Sequence, residues 1–300
     1  MKNKGFTLTE LLIAIVVASI TLLAITSLFS VGNRVVNKVK PVSETMEEAQ
    51  SGLATLDFLM SRWGVGVPCT NCNVNTPLPD CPDYDNFPPT PNPNDNDYGN
   101  NPLCVTIKQD NNGNSEVYFF ASLGGSGFVI RVDNNQANLI SCRLSDRDTN
   151  NCYYRFRNGN FLDFIRLSSL SPNNADCSKL ENLSQPNATA SADVYVFSAG
   201  DFKAKSGRLA EGDFIVRAPH FIKLYVNNGW LMMDKKDVSH CNANENNNNK
   251  NNNNEENAVN IAKVTRFVAE KVGMGVKFTI TFQSQTDPDK TFTITKYYSR

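Results

Sequence analysis

The fold is decided at the N-terminus, by residues 4–33: KGFTLTELLIAIVVASITLLAITSLFSVGN. No residue of Leu11–Asn33 is charged, and this run of about 23 residues spans roughly 35 Å as a helix. That length crosses the hydrocarbon core of a bilayer and exceeds the apolar region of an ordinary signal peptide. Lys2 and Lys4 precede it, and Arg34 is the first charged residue after it, which predicts a cytoplasmic N-terminus.

Glu10 does not suit a plain membrane anchor. A carboxylate in a membrane segment costs on the order of 3 kcal/mol, so it needs a partner. Cleavage after Gly5 would create a cationic amine on Phe6, one helical turn from Glu10, and a helix N-terminus also favours an acidic residue in its first turn. If the amine and the carboxylate belong to neighbouring subunits, their pairing sets the axial offset between those subunits.

These residues carry a resemblance. Lys-Gly-Phe-Thr-Leu-Thr-Glu followed by an apolar run resembles the class III signal of type IV pilins and type II secretion pseudopilins. In that family a membrane aspartyl peptidase cuts after the glycine and methylates the new phenylalanine amine, and a glutamate near the mature N-terminus guides assembly. The resemblance implies that residues 1–5 are a leader ending at Gly5, that Phe6 is N-methylated, and that Glu10 is the assembly glutamate.

Two simpler interpretations of the N-terminus explain less. A conventional signal peptide needs a small-residue cleavage site after a shorter apolar core, and Ala24-Ile25-Thr26 is a poor candidate for such a site. A simple single-pass anchor would be just as apolar, but it explains neither Glu10 nor the Gly5-Phe6 pair. The prepilin interpretation accounts for the long apolar run, for Glu10 and for the Gly5-Phe6 pair.

The helix is predicted to continue beyond the membrane, over residues 6–62, with an interruption or kink near Gly32 and Pro41. A single apolar stripe with alternating four- and three-residue spacing follows its second half. The stripe consists of Val35, Val39, Val42, Met46, Ala49, Leu53, Leu56 and Met60. We therefore expect residues 6–33 to form a transmembrane and filament-core helix, and residues 34–63 to form an amphipathic helix lying against a globular head.

The predicted head, residues 64–300, contains all eight cysteines of the chain. An even number confined to the translocated part fits disulfides, although roughly a hundred pairings are open. The candidates are Cys69, Cys72, Cys81, Cys104, Cys142, Cys152, Cys177 and Cys241. Two stretches are predicted to lack regular structure: residues 69–102, a proline-rich surface excursion stapled by disulfides, and residues 241–257, an asparagine-rich disordered loop.

The rest of the head is rich in β-type segments. They are predicted at Leu103–Gln109, Glu116–Ala121, Gly127–Val132, Asn138–Leu144, Phe161–Leu167, Asp193–Ser198, Asp213–Val216, His220–Val226, Lys263–Ala269, Val276–Phe282 and Thr291–Tyr297. Several alternate between apolar and polar residues, as antiparallel strands with one buried face do. The sequence therefore predicts an α+β fold, in which a long N-terminal helix, transmembrane and then amphipathic, packs on an antiparallel β-sheet head with loop-rich insertions.

No catalytic constellation is visible in the sequence. The two histidines, His220 and His240, are isolated from one another and suit structural positions. The CxxC pair that begins at Cys69 lacks both the second pair of a zinc site and the βαβ context of a redox motif. We therefore expect no enzyme activity, no metal and no cofactor.

The size of the chain, the Trp63-Gly64 region and the late strands resemble PilW-type minor pilins, and less closely the J-type pseudopilin of type II secretion. The resemblance implies a minor pilin that acts in filament assembly and initiation, at or near the filament tip, with adhesion or DNA uptake as further expected roles. Its implied partners are prepilin peptidase, other major and minor pilins, and an inner-membrane assembly platform. The subunit would lie in inner-membrane lipid, with a periplasmic head, before it enters a filament. The alternatives are a J-like pseudopilin and a membrane-anchored envelope binding protein.

The ligand of such a head is left open by the sequence. A net charge of −1 gives no bulk attraction to nucleic acid. Four arginines would form a local basic patch if the strands brought them together, as a DNA-uptake subunit requires. They are Arg143, Arg147, Arg155 and Arg157.

Overall fold

The computed structural model describes residues 7–68, 78–88, 98, 102–133, 136–140, 152–166, 195–198, 210–237 and 258–299. The elements in chain order are α1 Leu8–Met60, β1 Thr106–Gln109, β2 Ser115–Ala121, β3 Ser126–Asp133, β4 Gln136–Ile140, β5 Cys152–Arg157, β6 Asn160–Arg166, β7 Tyr195–Ser198, β8 Phe214–Arg217, β9 His220–Asn227, β10 Trp230–Asp237, β11 Val259–Val272, β12 Gly275–Gln283 and β13 Thr291–Ser299. The predicted class, α+β with a long N-terminal helix and an antiparallel head, is confirmed.

The strands form two sheets, whereas the sequence predicted one sheet with extra strands. The larger sheet has seven strands in the order β1-β2-β9-β10-β11-β12-β13, and the smaller has six in the order β6-β5-β8-β3-β4-β7. Every pairing between neighbouring strands is antiparallel. The chain changes sheet between β2 and β3, where Gly125 accepts a hydrogen bond from the backbone of Arg217 in β8.

Helix α1 is uninterrupted from Leu8 to Met60, so the predicted interruption near Gly32 and Pro41 is wrong, whereas a kink there stays a prediction. Pro41 has no backbone N–H, so the helix loses only the hydrogen bond to the carbonyl of Asn37. That carbonyl lies on an exposed stretch, where another group can donate to it. Thr45 donates a 2.7 Å hydrogen bond from its hydroxyl to the carbonyl of Pro41. A proline is therefore accommodated inside a helix of 53 residues.

The head meets α1 from Pro41 onward. The buried face of the helix consists of Pro41, Thr45, Ala49, Gly52, Leu56, Leu59 and Met60. Small residues on this face allow a close approach to the larger sheet. A Cβ added to Gly52 would lie 2.9 Å from the Cβ of Ala262 and 3.1 Å from the ring of Phe282. Burial of large side chains such as Leu56 and Leu59 stabilises this contact by about 1.5–3 kcal/mol each.

The predicted apolar stripe is only partly the face that the head covers. Ala49, Leu56 and Met60 are buried as expected, and Leu53 is partly buried against the same core. The four N-terminal members of the stripe are 50–58% exposed, namely Val35, Val39, Val42 and Met46. The helix is rotated so that its small residues, rather than these four side chains, face the sheet.

The described part of residues 69–102 is not the surface excursion that the sequence predicted. It contains no helix or strand, as expected, but its apolar side chains enter the core. Leu78, Tyr84, Phe87 and Tyr98 are all buried. The three aromatic rings pack with Phe120 and Phe221 in a cluster on the larger sheet. An irregular backbone can therefore still supply anchors to a core.

The sequence missed two strands, β5 and β10. Each forms a hairpin with a neighbour through an Asn-Gly turn, Asn158-Gly159 after β5 and Asn228-Gly229 before β10. All four turn residues have positive φ, between 50° and 80°. Asn-Gly between two strands is a strong hairpin signal because both residues tolerate the left-handed region. This signal would have located both missing strands.

The close contact at Gly52 predicts that alanine at this position destabilises the protein, although alanine favours the helix more than glycine does. Gly52→Ala should lower the free energy of unfolding by about 1–3 kcal/mol, because Ala262 and Phe282 cannot both retreat in a packed core. Urea denaturation of the full chain in detergent measures the change. Gly32→Ala is the matched control, since no atom lies within 4 Å of its added Cβ. A Gly52→Ala variant as stable as the parent chain would contradict this packing.

Candidate functional site

The N-terminal half of α1 stands clear of the head. Every residue from Thr7 to Lys40 is exposed, and Pro41 is the first buried residue. Among the described residues, α1 is the one helix long and apolar enough to cross a membrane, with a window of mean hydropathy 2.7 that is not buried at all. An apolar surface of this size is not stable in water, so lipid or other helices must cover it.

A capping box begins the helix. Thr7 is the N-cap, and its hydroxyl accepts a hydrogen bond from the backbone N–H of Glu10 at 3.4 Å. In return, Oε2 of Glu10 accepts hydrogen bonds from the Thr7 backbone N–H at 3.0 Å and from the Thr7 hydroxyl at 2.8 Å. The carboxylate therefore satisfies the first turn of the helix through one of its two oxygens.

Sequence analysis identified Glu10 as a candidate functional residue but did not identify Thr7 as the helix cap. The signal was present, because Thr7-Leu8-Thr9-Glu10 has the Thr-x-x-Glu spacing of a capping box immediately before an apolar run. Gly5 and Phe6 lie outside the described residues. Cleavage after Gly5, methylation of Phe6 and pairing of its amine with Glu10 therefore stay predictions.

Polar contacts clamp the other half of α1 to the β12–β13 hairpin. Near the C-terminal end of α1, Asp57 pairs with Lys296 at 2.5 Å and accepts a hydrogen bond from the Tyr298 hydroxyl at 2.6 Å. Closer to the membrane half of the helix, the Thr286 hydroxyl donates to Glu44 at 2.6 Å, and the Gln285 amide donates to Glu48. Two contact points along the helix fix its direction relative to the head.

Asp57 stays ionised in this clamp. Burial alone would raise the pKa of Asp57, but the hydrogen bonds from Lys296 and Tyr298 and the charge of Lys296 outweigh it and hold the pKa below its ordinary value. Burial, followed by the contact with Asp57, raises the pKa of Tyr298, so the phenol stays a donor. Asp57 therefore remains a carboxylate at neutral pH and can accept both contacts.

The exposed helix, its capping box and the clamped head set the context for the comparison of the N-terminus with known families. Residues 1–26 match the prokaryotic N-terminal methylation motif. This motif supports a type IV pilin-like protein that is processed as a prepilin, and it points to a structural protein rather than an enzyme. It also implies processing by prepilin peptidase and association with other pilins, and it fits membrane anchoring of α1.

The other comparisons add little to the methylation motif. An uncharacterised protein of Aquifex aeolicus (strain VF5) is 27% identical over 236 residues, which is 77% of this chain and 76% of that protein. A crystal structure provisionally described as a peptidase/endoglucanase is 12% identical, covers 42% of this chain and 37% of its own, and has a TM-score of 0.18. That score is too low to inform the fold or the function.

One disulfide joins two of the candidate cysteines, Cys81 and Cys104. It ties the irregular segment to the residues that precede β1. The carbonyl of Cys104 also accepts a 3.2 Å hydrogen bond from the indole of Trp63, which is fully buried just beyond the end of α1. The remaining candidates are not described at the side-chain level: Cys152 has only its backbone described, in β5, and the others lie outside the described residues, namely Cys69, Cys72, Cys142, Cys177 and Cys241.

The structure does not support the arginine patch. Arg155 is 2% exposed and makes a two-pronged ion pair with Asp163, at 2.7 and 2.8 Å. Arg157 pairs with buried Asp213 at 2.6 Å, which Arg155 also contacts at 3.3 Å. These two arginines are therefore neutralised by two carboxylates within the smaller sheet. Arg143 and Arg147 lie outside the described residues.

The head also offers no metal centre in its described part. No group of three or more His, Cys, Asp or Glu side chains there is placed to hold a metal ion. His220 is 5% exposed at the start of β9. Burial lowers the pKa of His220 to about 4, so the ring is neutral at physiological pH. His240 lies outside the described residues.

We expect the disulfide to contribute measurably to the stability of the head. The double substitution Cys81→Ala, Cys104→Ala should lower the free energy of unfolding by about 3 kcal/mol, because the bond closes a loop with a sequence separation of 23. Urea denaturation under non-reducing conditions measures the loss. A double variant with the midpoint of the parent chain would contradict a structural role for this bond.

Proposed function

We propose that this chain is a minor pilin of a type IV pilus-like filament, cleaved by prepilin peptidase between Gly5 and Phe6 and methylated on the Phe6 amine. One observation carries the proposal: the methylation motif leads into a helix whose apolar half is fully exposed while its other half is clamped to the head. A soluble domain does not expose an apolar helix of this length. A plain membrane anchor does not require the methylation motif.

The exposed half of α1 serves two environments in succession. Before assembly, its uncharged Leu11–Asn33 run spans the inner membrane once, with the N-terminus in the cytoplasm and the head in the periplasm. After assembly, helices of neighbouring subunits replace the lipid around the same side chains. Both environments are apolar, so extraction into the filament exchanges one apolar cover for another.

Glu10 provides the register in this proposal. The capping box uses Oε2 for the first turn of its own helix. Oε1 then accepts the methylated amine of Phe6 on a neighbouring subunit. The carboxylate thereby has a partner at each oxygen, which offsets the cost of placing it at the edge of an apolar segment.

The architecture of the head supports a minor rather than a major subunit. Two sheets and a long irregular segment make a larger head than a major pilin usually carries, and the chain resembles PilW-type minor pilins. The proposed partners are prepilin peptidase, the other major and minor pilins, and the inner-membrane assembly platform. The proposed role is assembly and initiation of the filament.

Substitution of Glu10 tests the proposed register. Glu10→Ala should leave processing intact but lower the amount of the chain in sheared filaments by roughly tenfold or more, since a loss of about 1.4 kcal/mol in pairing corresponds to a factor of ten. Quantitative immunoblotting of filament and membrane fractions measures the ratio.

Two variants separate charge from capping. Glu10→Gln can still form the capping box but has no charge, so it should fail as Glu10→Ala does. Thr7→Ala breaks the box but keeps the carboxylate, so it should assemble nearly normally. Normal incorporation of Glu10→Gln would show that capping, and not charge, is what Glu10 supplies.

A further inference from the structure

The smaller sheet is inserted whole into the larger one. All of its strands, β3 to β8, come between β2 and β9 of the larger sheet. The chain leaves the larger sheet after Ala121 and returns to it at His220, and these two residues are paired across β2 and β9. The two crossings of the chain therefore lie side by side. They form a neck, residues 121–126 and 217–220, through which the smaller sheet is attached.

Short contacts hold the two crossings of the neck together. The backbone N–H of Arg217 donates to the carbonyl of Gly125 at 2.9 Å, and the Ser122 hydroxyl donates to the carbonyl of Arg217 at 2.9 Å. The side-chain stem of Arg217 leaves no room for a Cβ on Gly124. At the end of α1, Arg62 brings a further cation to the neck and donates to the carbonyls of Ser122 and Gly124, at 3.0 and 2.6 Å.

His220 lies where the neck closes on the larger sheet. It is 5% exposed, and its Nδ1 is buried without a hydrogen-bond partner among the described residues. On the β2 side its neighbour is the uncharged Ala121, and on the β10 side it is Asp237. The charged groups that face the ring are Asp237 and Lys235 from β10 and Arg217 from β8. A proton added to the imidazole would therefore be buried, with two cations and one carboxylate around it.

We propose that His220 is an acid-sensitive latch: protonation of its imidazole opens the neck and frees the smaller sheet to move relative to the larger one. This role goes beyond filament assembly, because it makes the surface of the head depend on the acidity of its surroundings. Opening would uncover part of the aromatic cluster that joins the two sheets. Phe120 and Phe221 from the larger sheet share this cluster with Tyr154 from the smaller one.

The direction of the pH effect follows from the environment of His220. Burial lowers the pKa of this ring to about 4, from 6.5 for an exposed histidine. Asp237 opposes the lowering of the pKa, and Arg217 and Lys235 add to it. The closed neck therefore binds the proton less well than an open neck does. Closure is fully favoured above about pH 6.5 and is weakened as the pH falls toward 4, so the equilibrium constant for opening should rise about 30-fold between pH 7.5 and pH 5.

Hydrogen–deuterium exchange of the full chain in detergent tests the latch. Exchange of residues 217–222 is compared between pH 7.5 and pH 5, after correction for the intrinsic pH dependence of exchange. Protection of these residues should fall about 30-fold. The β11–β12 hairpin belongs to the larger sheet alone and should keep its protection. An equal loss in this hairpin would mean that acid unfolds the whole head, and it would overturn the latch.

The two histidines of the chain provide a matched pair of variants. His220→Gln replaces the imidazole with a group that does not titrate, so protection of the neck should no longer differ between the two pH values. His240→Gln makes the same substitution at the other histidine and should retain the response of the parent chain. A His220→Gln chain that loses as much protection at pH 5 as the parent chain would contradict the inference.

The His240→Gln chain also provides a direct measurement, which decides the question even where His220→Gln does not fold. His220 is then the one histidine of the chain, and its ¹³Cε1 NMR signal reports the charge of the ring. While the head is folded, this signal should stay that of a neutral imidazole down to about pH 5. A titration midpoint near pH 6.5 in the folded chain would show that the ring accepts a proton without opening the neck, and the latch would be refuted.

Discussion

The constraint on which the rest of the structure depends is that one continuous helix has an apolar half that needs an apolar cover and a second half that packs on the head. The Leu11–Asn33 run is uncharged and fully exposed, so it requires lipid or other helices. The segment from Pro41 to Met60 is clamped to a folded head. Glu10 lies at the start of the apolar run, and the exposed side chains from Val35 to Met46 follow its end. No break separates these parts, so the position of the head is fixed by the position of the helix.

The head is built to hold the helix by close contact and polar clamps. Gly52 allows the backbone of α1 to approach Ala262, and Trp63 anchors the end of the helix beneath β2 and the Cys81–Cys104 bridge. Asp57, held by Lys296 and Tyr298, prevents the helix from sliding along the sheet. In the proposed filament subunit, this attachment would transmit to the head an axial offset set at Glu10.

The parts that could be predicted from the sequence are those with local signals. A charge-free run defines a membrane helix by length, and alternation defines most strands, so the class and eleven of the strands were accessible. The rotation of α1 about its axis was not, because it depends on Gly52 fitting between Ala262 and Phe282, which are distant in sequence. The second sheet depends likewise on which strands pair. Thr7 and the two Asn-Gly hairpins were local signals that the sequence does contain.

The measurement that tests the central claim most directly is the N-terminus of the protein extracted from membranes, determined by mass spectrometry. The account predicts a first peptide that begins at N-methylated Phe6, because the methylation motif and the exposed helix are then parts of one prepilin. A chain that still begins at Met1, or one cut near Ser27, would contradict it. The protein would then be an anchored or secreted one, and the exposed helix would need a different explanation.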